Sequence, residues 1–167
     1  GSDVRESPRE TSFCAHAVVS RTAMVVPDAL ADPRFAENPL VKGAPRVRFY
    51  AGQPLILPDG NCVGTVCVID TRPRDLDERS MGLLRDIAEL VALVREYWEF
   101  EHIDGFAATR TRTVLGTVFA NPALGCGWIA EHSGQAVGYL LACYVFSLEH
   151  GGITAEIDEF FVLPAHR

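Results

Sequence analysis

This chain of 167 residues is poor in positive charge: 15 side chains are Lys or Arg against 22 Asp or Glu, and Lys42 is the single lysine. The deficit is uneven, with ten basic and eleven acidic residues in 1–84 but five and eleven in 85–167. A nucleic-acid binder neutralises phosphates with a basic surface, so the acidic second half argues against that class of partner. No apolar run approaches the roughly 20 residues that cross a bilayer. The longest, from Leu83 to Val94, is broken by Arg85, Asp86 and Glu89, and no membrane partner is expected. No apolar leader follows Gly1-Ser2-Asp3-Val4-Arg5, which predicts a cytoplasmic protein. Cysteines are few and odd in number, five in all, which excludes a disulfide framework. Cys62 and Cys67 flank four residues of a strand-like stretch at a spacing that matches no zinc pattern. The thiols therefore read as buried and inert, and no metal is expected.

What is present changes character near residue 85. Most of the prolines precede Asp75, and the first half is rich in loops. Thr11 or Ser12 is placed to cap a helix through Phe13–Val19 with its hydroxyl. Met24-Val25-Val26 reads as a short strand, and residues 28–41 as turn and short helix. Arg48–Leu57 and Val63–Asp70 read as a strand pair across Pro58-Asp59-Gly60-Asn61. Apolar residues on both parities of the second strand predict burial on both faces. Asp75 and Glu78 resemble a capping box, ahead of helical spacing (Leu84, Ile87, Val91, Val94, Trp98) sustained to about Phe100. A helix near Thr111–Ala120 follows, then three strands near Gly127–Glu131, Ala136–Phe146 and Ile153–Leu163, joined by short turns as an antiparallel meander. The fold class expected is α/β of the α+β kind, with antiparallel or mixed sheets flanked by helices.

Five ordered blocks in the first half carry a family resemblance. They are Arg9-Glu10-Thr11-Ser12-Phe13-Cys14-Ala15-His16-Ala17, Val26-Pro27-Asp28, Asp32-Pro33-Arg34-Phe35, Arg48-Phe49-Tyr50-Ala51-Gly52-Gln53-Pro54-Leu55, and Gly64-Thr65-Val66-Cys67-Val68-Ile69-Asp70. Residues 1–85 resemble a GAF domain of the bacterial signalling type. The resemblance implies a regulatory sensor built around one antiparallel sheet, which is not itself an enzyme and could take a small-molecule ligand. The family's opening helix and two strands would precede Arg9, so the strand Val63–Asp70 is expected to lack a neighbour and to invite pairing. The cyclic-nucleotide signature and the Cys-His dipeptide of bilin attachment are missing from it. Phe13, Phe35, Phe49 and Tyr50 are candidates to line a pocket, with a packed aromatic core as the alternative. Cys14 and His16 stand about 200° apart on a helix, so one ion could not take both.

Residues 86–167 resemble the N-terminal part of a GNAT acetyltransferase. The resemblance rests on Glu96-Tyr97-Trp98-Glu99-Phe100-Glu101, Trp128-Ile129-Ala130-Glu131, Gly138-Tyr139-Leu140-Leu141 and the closing block from Glu156 to Arg167. It implies acetyl transfer from acetyl-CoA to an amine. Glu156 and Glu159 are the candidates to relay the amine's proton, and the amides near Phe161 and Val162 to polarise the thioester carbonyl. Arg167 matches the first position of the pyrophosphate loop, and the rest of that loop is not in the sequence. No cofactor is therefore expected, and acetyl-CoA only if the acetyltransferase part were complete. Along Ile153–Leu163 the odd positions are apolar except Glu159, which either lies desolvated on that face or is turned outward by a bulge near Phe160.

Together these readings predict a GAF-type sensory module sharing one long helix with an incomplete acetyltransferase segment, without catalysis of its own. The alternative is an N-acetyltransferase with a regulatory GAF domain. The two parts are expected either as separate domains or merged, the meander adding strands to the bare GAF edge as one mixed sheet. Long apolar helices and bare strands also make a homodimer an expectation.

Overall fold

The computed structural model describes residues 11–167. Arg9 and Glu10, which open the first GAF-like block, lie outside the described residues. The chain divides into two compact units at Ala88/Glu89. That division falls inside a helix that runs unbroken over Glu78–Phe100.

The first unit begins with α1 (Phe13–Ser20), β1 (Met24–Val26) and α2 (Pro39–Lys42). The hairpin strands β2 (Phe49–Ile56) and β3 (Cys62–Asp70) follow. All pairings are antiparallel, in the order β1-β2-β3. Ser12 occupies the N-cap of α1, but its hydroxyl does not bond the helix amides, contrary to the sequence expectation. At the other end Arg21 takes a left-handed conformation and its N–H closes on Ala17 O at 2.9 Å. The β2–β3 turn is set by Asp59, whose carboxylate accepts from Asn61 N, and by Gly60 at φ +86°.

The expectation that β3 is buried on both faces fails. Among the described residues it stands at the sheet's edge, and Val63, Val68 and Ile69 are exposed; of its own residues only Val66 is buried. The middle strand β2 is the covered one. Phe49, Ala51 and Leu55 are buried on one face and Tyr50 on the other.

The long helix α3 (Glu78–Phe100) starts at the last residue of the expected box, so its cap lies two residues beyond Asp75. Asp77 performs the capping: its carboxylate accepts from Ser80 N at 2.8 Å, and the Ser80 side chain, then that amide, hold the acid below its ordinary value. In the second unit come α4 (Ala108–Ala120), β4 (Gly125–His132), β5 (Gln135–Ser147) and β6 (Gly152–Val162), closed by a single 3-10 turn at Pro164–His166. β4-β5-β6 form a second three-stranded antiparallel sheet. The two sheets are separate, so the merged mixed sheet does not form: β4 pairs with β5, not with the edge of β3.

Glycine at 138 is required by close approach, because a Cβ there would stand 2.7 Å from Phe161 O on the neighbouring strand. One face of this sheet holds Tyr139 and Phe161, both buried. Trp128, Phe146, Ile153, Ile157 and Phe160 are exposed, by 59 to 75% of their surface. The register places them together on the opposite face.

Candidate functional site

In the first unit the acidic and aromatic blocks converge on a helix-on-sheet core. Phe13 of α1 stacks on Phe35 with ring centroids 4.2 Å apart, and on Tyr50 of β2 at 5.2 Å. Tyr50 is 1% exposed. Three of the four aromatic candidates thus pack against one another, with Met24, Val26 and Val41 around them. Phe49 follows the strand's alternation to the other face. The loops leading into this core are clamped by acid–arginine pairs. Asp28 accepts two bonds from Arg48, at 2.7 and 2.6 Å, and a third from Leu30 N. Asp32 is bound likewise by Arg34, which also lies over the Phe35 ring at 5.1 Å. The Val26-Pro27-Asp28 and Asp32-Pro33-Arg34-Phe35 blocks are therefore structural clasps.

The chemistry of this unit lies at the sulfur atoms. Cys14, in the first turn of α1, meets Cys67 of β3 with the sulfurs 3.7 Å apart. Both are partly exposed. Cys67 pairs across the sheet with Gly52, so it shares a face with Tyr50 two residues away. A side chain at 52 would collide with the Tyr50 hydroxyl, 2.1 Å from the position of a Cβ. Glycine leaves that hydroxyl its place. It is buried and forms no well-aligned hydrogen bond.

The Cys67 hydrogen bond holds the Cys14 thiol far below its ordinary value of 9.0, to about 5, against the opposing effect of burial. Thr65, Tyr50 and Ser12 add to the lowering. Burial, with the adjacent Cys14, pushes the Tyr50 hydroxyl in the opposite direction. The sequence expectation of inert thiols missed this pair. The two cysteines are 53 positions apart, and only the docking of α1 on β3 brings them together. His16 turns edge-on to Phe35 at 4.9 Å. Among the described residues no three His, Cys, Asp or Glu form a group able to hold a metal ion. No described helix is long and apolar enough to cross a membrane.

A shallow cleft of about 750 Å³ lies beside this core, lined by His16, Val19, Ser20, Thr22, Met24 and Arg34 among others. None of the four aromatic candidates lines it.

In the second unit a bulge at Asp158 governs the acidic candidates. Leu141 pairs with Glu159 and Ala142 with Ile157, which leaves Asp158 as the extra residue. The bulge lies two residues before the expected one, and it turns Glu159 inward rather than outward. Glu159 joins Tyr139 and Phe161 on the packed face, and accepts a 2.8 Å bond from the Tyr139 hydroxyl. The apolar positions before the bulge, Ile153 and Ile157, face solvent, which corrects the expectation of a desolvated odd face. Burial raises the Glu159 carboxyl above its ordinary value, with Asp158 adding to the rise while bonds from Tyr139 and Trp98 oppose it. Burial, then Glu159, raises Tyr139.

Glu156 is exposed and pairs across the strands with Cys143, away from this group. Phe161 is buried against Tyr97 and Phe100. The Val162 carbonyl accepts from Arg167 Nε at 2.8 Å, and the Arg167 guanidinium lies 4.4 Å over the Phe100 ring. Of the scattered histidines, His132 and His166 come together, ring centroids 5.4 Å apart.

The first unit is thus an α+β domain with a helix docked on an antiparallel sheet and a partly covered thiol pair at their contact. The chain belongs to the GAF domain family, whose model matches residues 1–94. That family places it among signalling and sensor proteins. It is 49% identical over 92 residues to the cyclic di-GMP phosphodiesterase PA2567 of Pseudomonas aeruginosa, a match covering 54% of this chain and 16% of that protein. The chain therefore spans well under a fifth of that relative's length. Two solved structures are also similar. One is an integron cassette protein from the mobile metagenome of Cole Harbour Salt Marsh (28% identity, TM-score 0.47, 49% of this chain and 53% of that one). The other is the type II free methionine-R-sulfoxide reductase of Thermoplasma acidophilum (17% identity, TM-score 0.45, 55% of this chain and 61% of that one).

Proposed function

We propose that the GAF unit is the regulatory input of a signalling protein, and that it responds to a small molecule rather than transforming one. The observation that carries this reading is the 49% identity to a stretch of a cyclic di-GMP phosphodiesterase. Identity at that level supports transfer of a domain's role more than of a whole enzyme's activity. The cleft of His16, Ser20, Thr22 and Arg34 offers hydrogen-bond donors and one cation beside apolar Val19 and Met24, a lining suited to a small polar ligand. The test is a transplant: residues 1–94 replace the matching stretch of the Pseudomonas enzyme, and cyclic di-GMP hydrolysis is followed. Hydrolysis sustained by the transplant and changed by deletion of the stretch supports the reading. Hydrolysis indifferent to both overturns it.

A second reading, an N-acetyltransferase under GAF control, draws on Glu159. A half-buried carboxylate with a raised pKa under a tyrosine hydroxyl is the kind of group that accepts a proton from an amine. Calorimetry with acetyl-CoA separates the two. Saturable binding at micromolar concentration favours the enzyme, and silence favours the module.

A further inference from the structure

We propose that Cys14 and Cys67 form a reversible dithiol–disulfide site that is oxidised by hydroperoxides. Nothing in the regulatory reading requires it, and it stands on the geometry of the pair. The sulfurs are 3.7 Å apart on two different elements, and both side chains are partly exposed, so a small oxidant can reach them. Bond formation requires closure to about 2.05 Å. That movement falls on a helix of eight residues and on a strand that, among the described residues, is bonded along only one side.

The second observation is Tyr50. Its buried hydroxyl stands against Cys14, in the space that Gly52 leaves open, and helps to lower the thiol. A hydrogen bond donated to the thiolate favours that form over the thiol. The same hydroxyl is placed to donate to oxygen added at the Cys14 sulfur.

The chemistry balances with the hydroperoxide as the only oxidant. The Cys14 thiolate attacks the terminal oxygen of the hydroperoxide and breaks its O–O bond. The other oxygen departs, takes up a proton and leaves as an alcohol, or as water from hydrogen peroxide. Cys14 is now a sulfenic acid. The Cys67 sulfur attacks that sulfur, the S–O bond breaks, and the released hydroxide leaves with the Cys67 proton as water. The thiols together lose two electrons, which the hydroperoxide gains. Thiols restore the pair by exchange. The low pKa of Cys14 keeps its reactive form populated at neutral pH.

The test uses the whole reduced chain, treated with hydrogen peroxide and, separately, with an organic hydroperoxide, then mapped by mass spectrometry without reduction. The expected product is one cross-linked peptide pair containing Cys14 and Cys67, abolished by dithiothreitol. In Cys67→Ser a dimedone-trapped sulfenic acid is expected at Cys14, and in Cys14→Ser the rapid loss of the Cys67 thiol disappears. Tyr50→Phe is expected to slow oxidation on the order of tenfold, the worth of one hydrogen bond. A cross-link between any other cysteines overturns the proposal. So does oxidation confined to Cys62, Cys126 or Cys143, or Cys14 oxidised further while Cys67 stays free. The map of the unmodified sequence decides the matter even if a variant fails to fold.

Discussion

The two sheets share strand number and antiparallel pairing, yet they use their apolar residues differently. In the first unit the middle strand β2 is buried on both faces, and its aromatic side chain meets Phe13 and Phe35 in a stack. In the second, β5 is buried no further than Ala142, and its far end exposes Tyr144, Val145 and Phe146. The contrast shows that an apolar residue count says little about where a core lies. Burial in β2 follows from helices and clasped loops around it, whereas the apolar Ile153, Ile157 and Phe160 of β6 face water.

The most damaging test of that contrast is truncation. Phe13→Ala removes a ring from the centre of the aromatic stack, and should cost about 3–5 kcal/mol. Phe160→Ala removes an equal ring from the open face of the second sheet, and should stay within about 0.5 kcal/mol. Urea unfolding, read by a probe in each unit, measures both. Equal losses would dissolve the distinction.

A second test concerns charge rather than packing. The Cys14 thiolate should be alkylated by iodoacetamide with a pH midpoint near 5, in place of its ordinary value of 9.0. Because its folded pKa is depressed, Cys14 contributes stability that is fully present above pH 9.0 and lost as pH falls toward 5. Cys67→Ala removes the first cause of the shift and should return the midpoint toward the ordinary value. No such return would mean that Cys67 does not hold the thiolate.

Smaller again is the clasp. Arg48 and Leu30 N hold Asp28 below its ordinary value of 3.8, so its stabilising effect is present above that pH and fades as acid protonates it through the folded value. Asp28→Asn should lower the unfolding midpoint at neutral pH, and the gap to the unmodified chain should close in acid. A gap independent of pH would show that the carboxylate's charge is not what holds the loop.

The elements themselves were largely legible in the sequence. Each of the six strands and the main helices falls within a few residues of its expected place, because apolar periodicity and turn residues act locally. What stayed hidden depends on distant neighbours. Asp77 rather than Asp75 caps α3, since both acids precede the helix and backbone geometry chooses between them. The burial of β3 was overread, because Val63–Asp70 carries the apolar composition of a central strand but occupies an edge. At the candidate sites, the aromatic residues were visible as a set and their stacking was the stated alternative. The Cys14–Cys67 pair was not visible, for nothing near either cysteine encodes the docking of α1 on β3. Glu159 was marked as anomalous by parity alone, but only the register assigns the bulge to Asp158.

Glu159 also gives the smallest expected effect, and one of opposite sign to the others. Its folded pKa is raised, so its contribution to stability is fully present below the ordinary value of 4.5 and is lost as pH rises through the folded value. At neutral pH the ionised carboxylate is therefore a mild burden on the second unit. Glu159→Gln keeps the shape and an acceptor for the Tyr139 hydroxyl while removing the charge. It should stabilise the unit slightly, by less than about 1 kcal/mol because the group is half exposed to solvent screening. Tyr139→Phe works the other way: it deletes a bond to the ionised form and should drive the Glu159 carboxyl higher still. Unfolding midpoints of both variants at about pH 4 and about pH 8 measure the sign directly. A Glu159→Gln chain less stable at the higher pH would show that the carboxylate's bonds outweigh its burial, and would place the second sheet, like the first, among structures held by their acids.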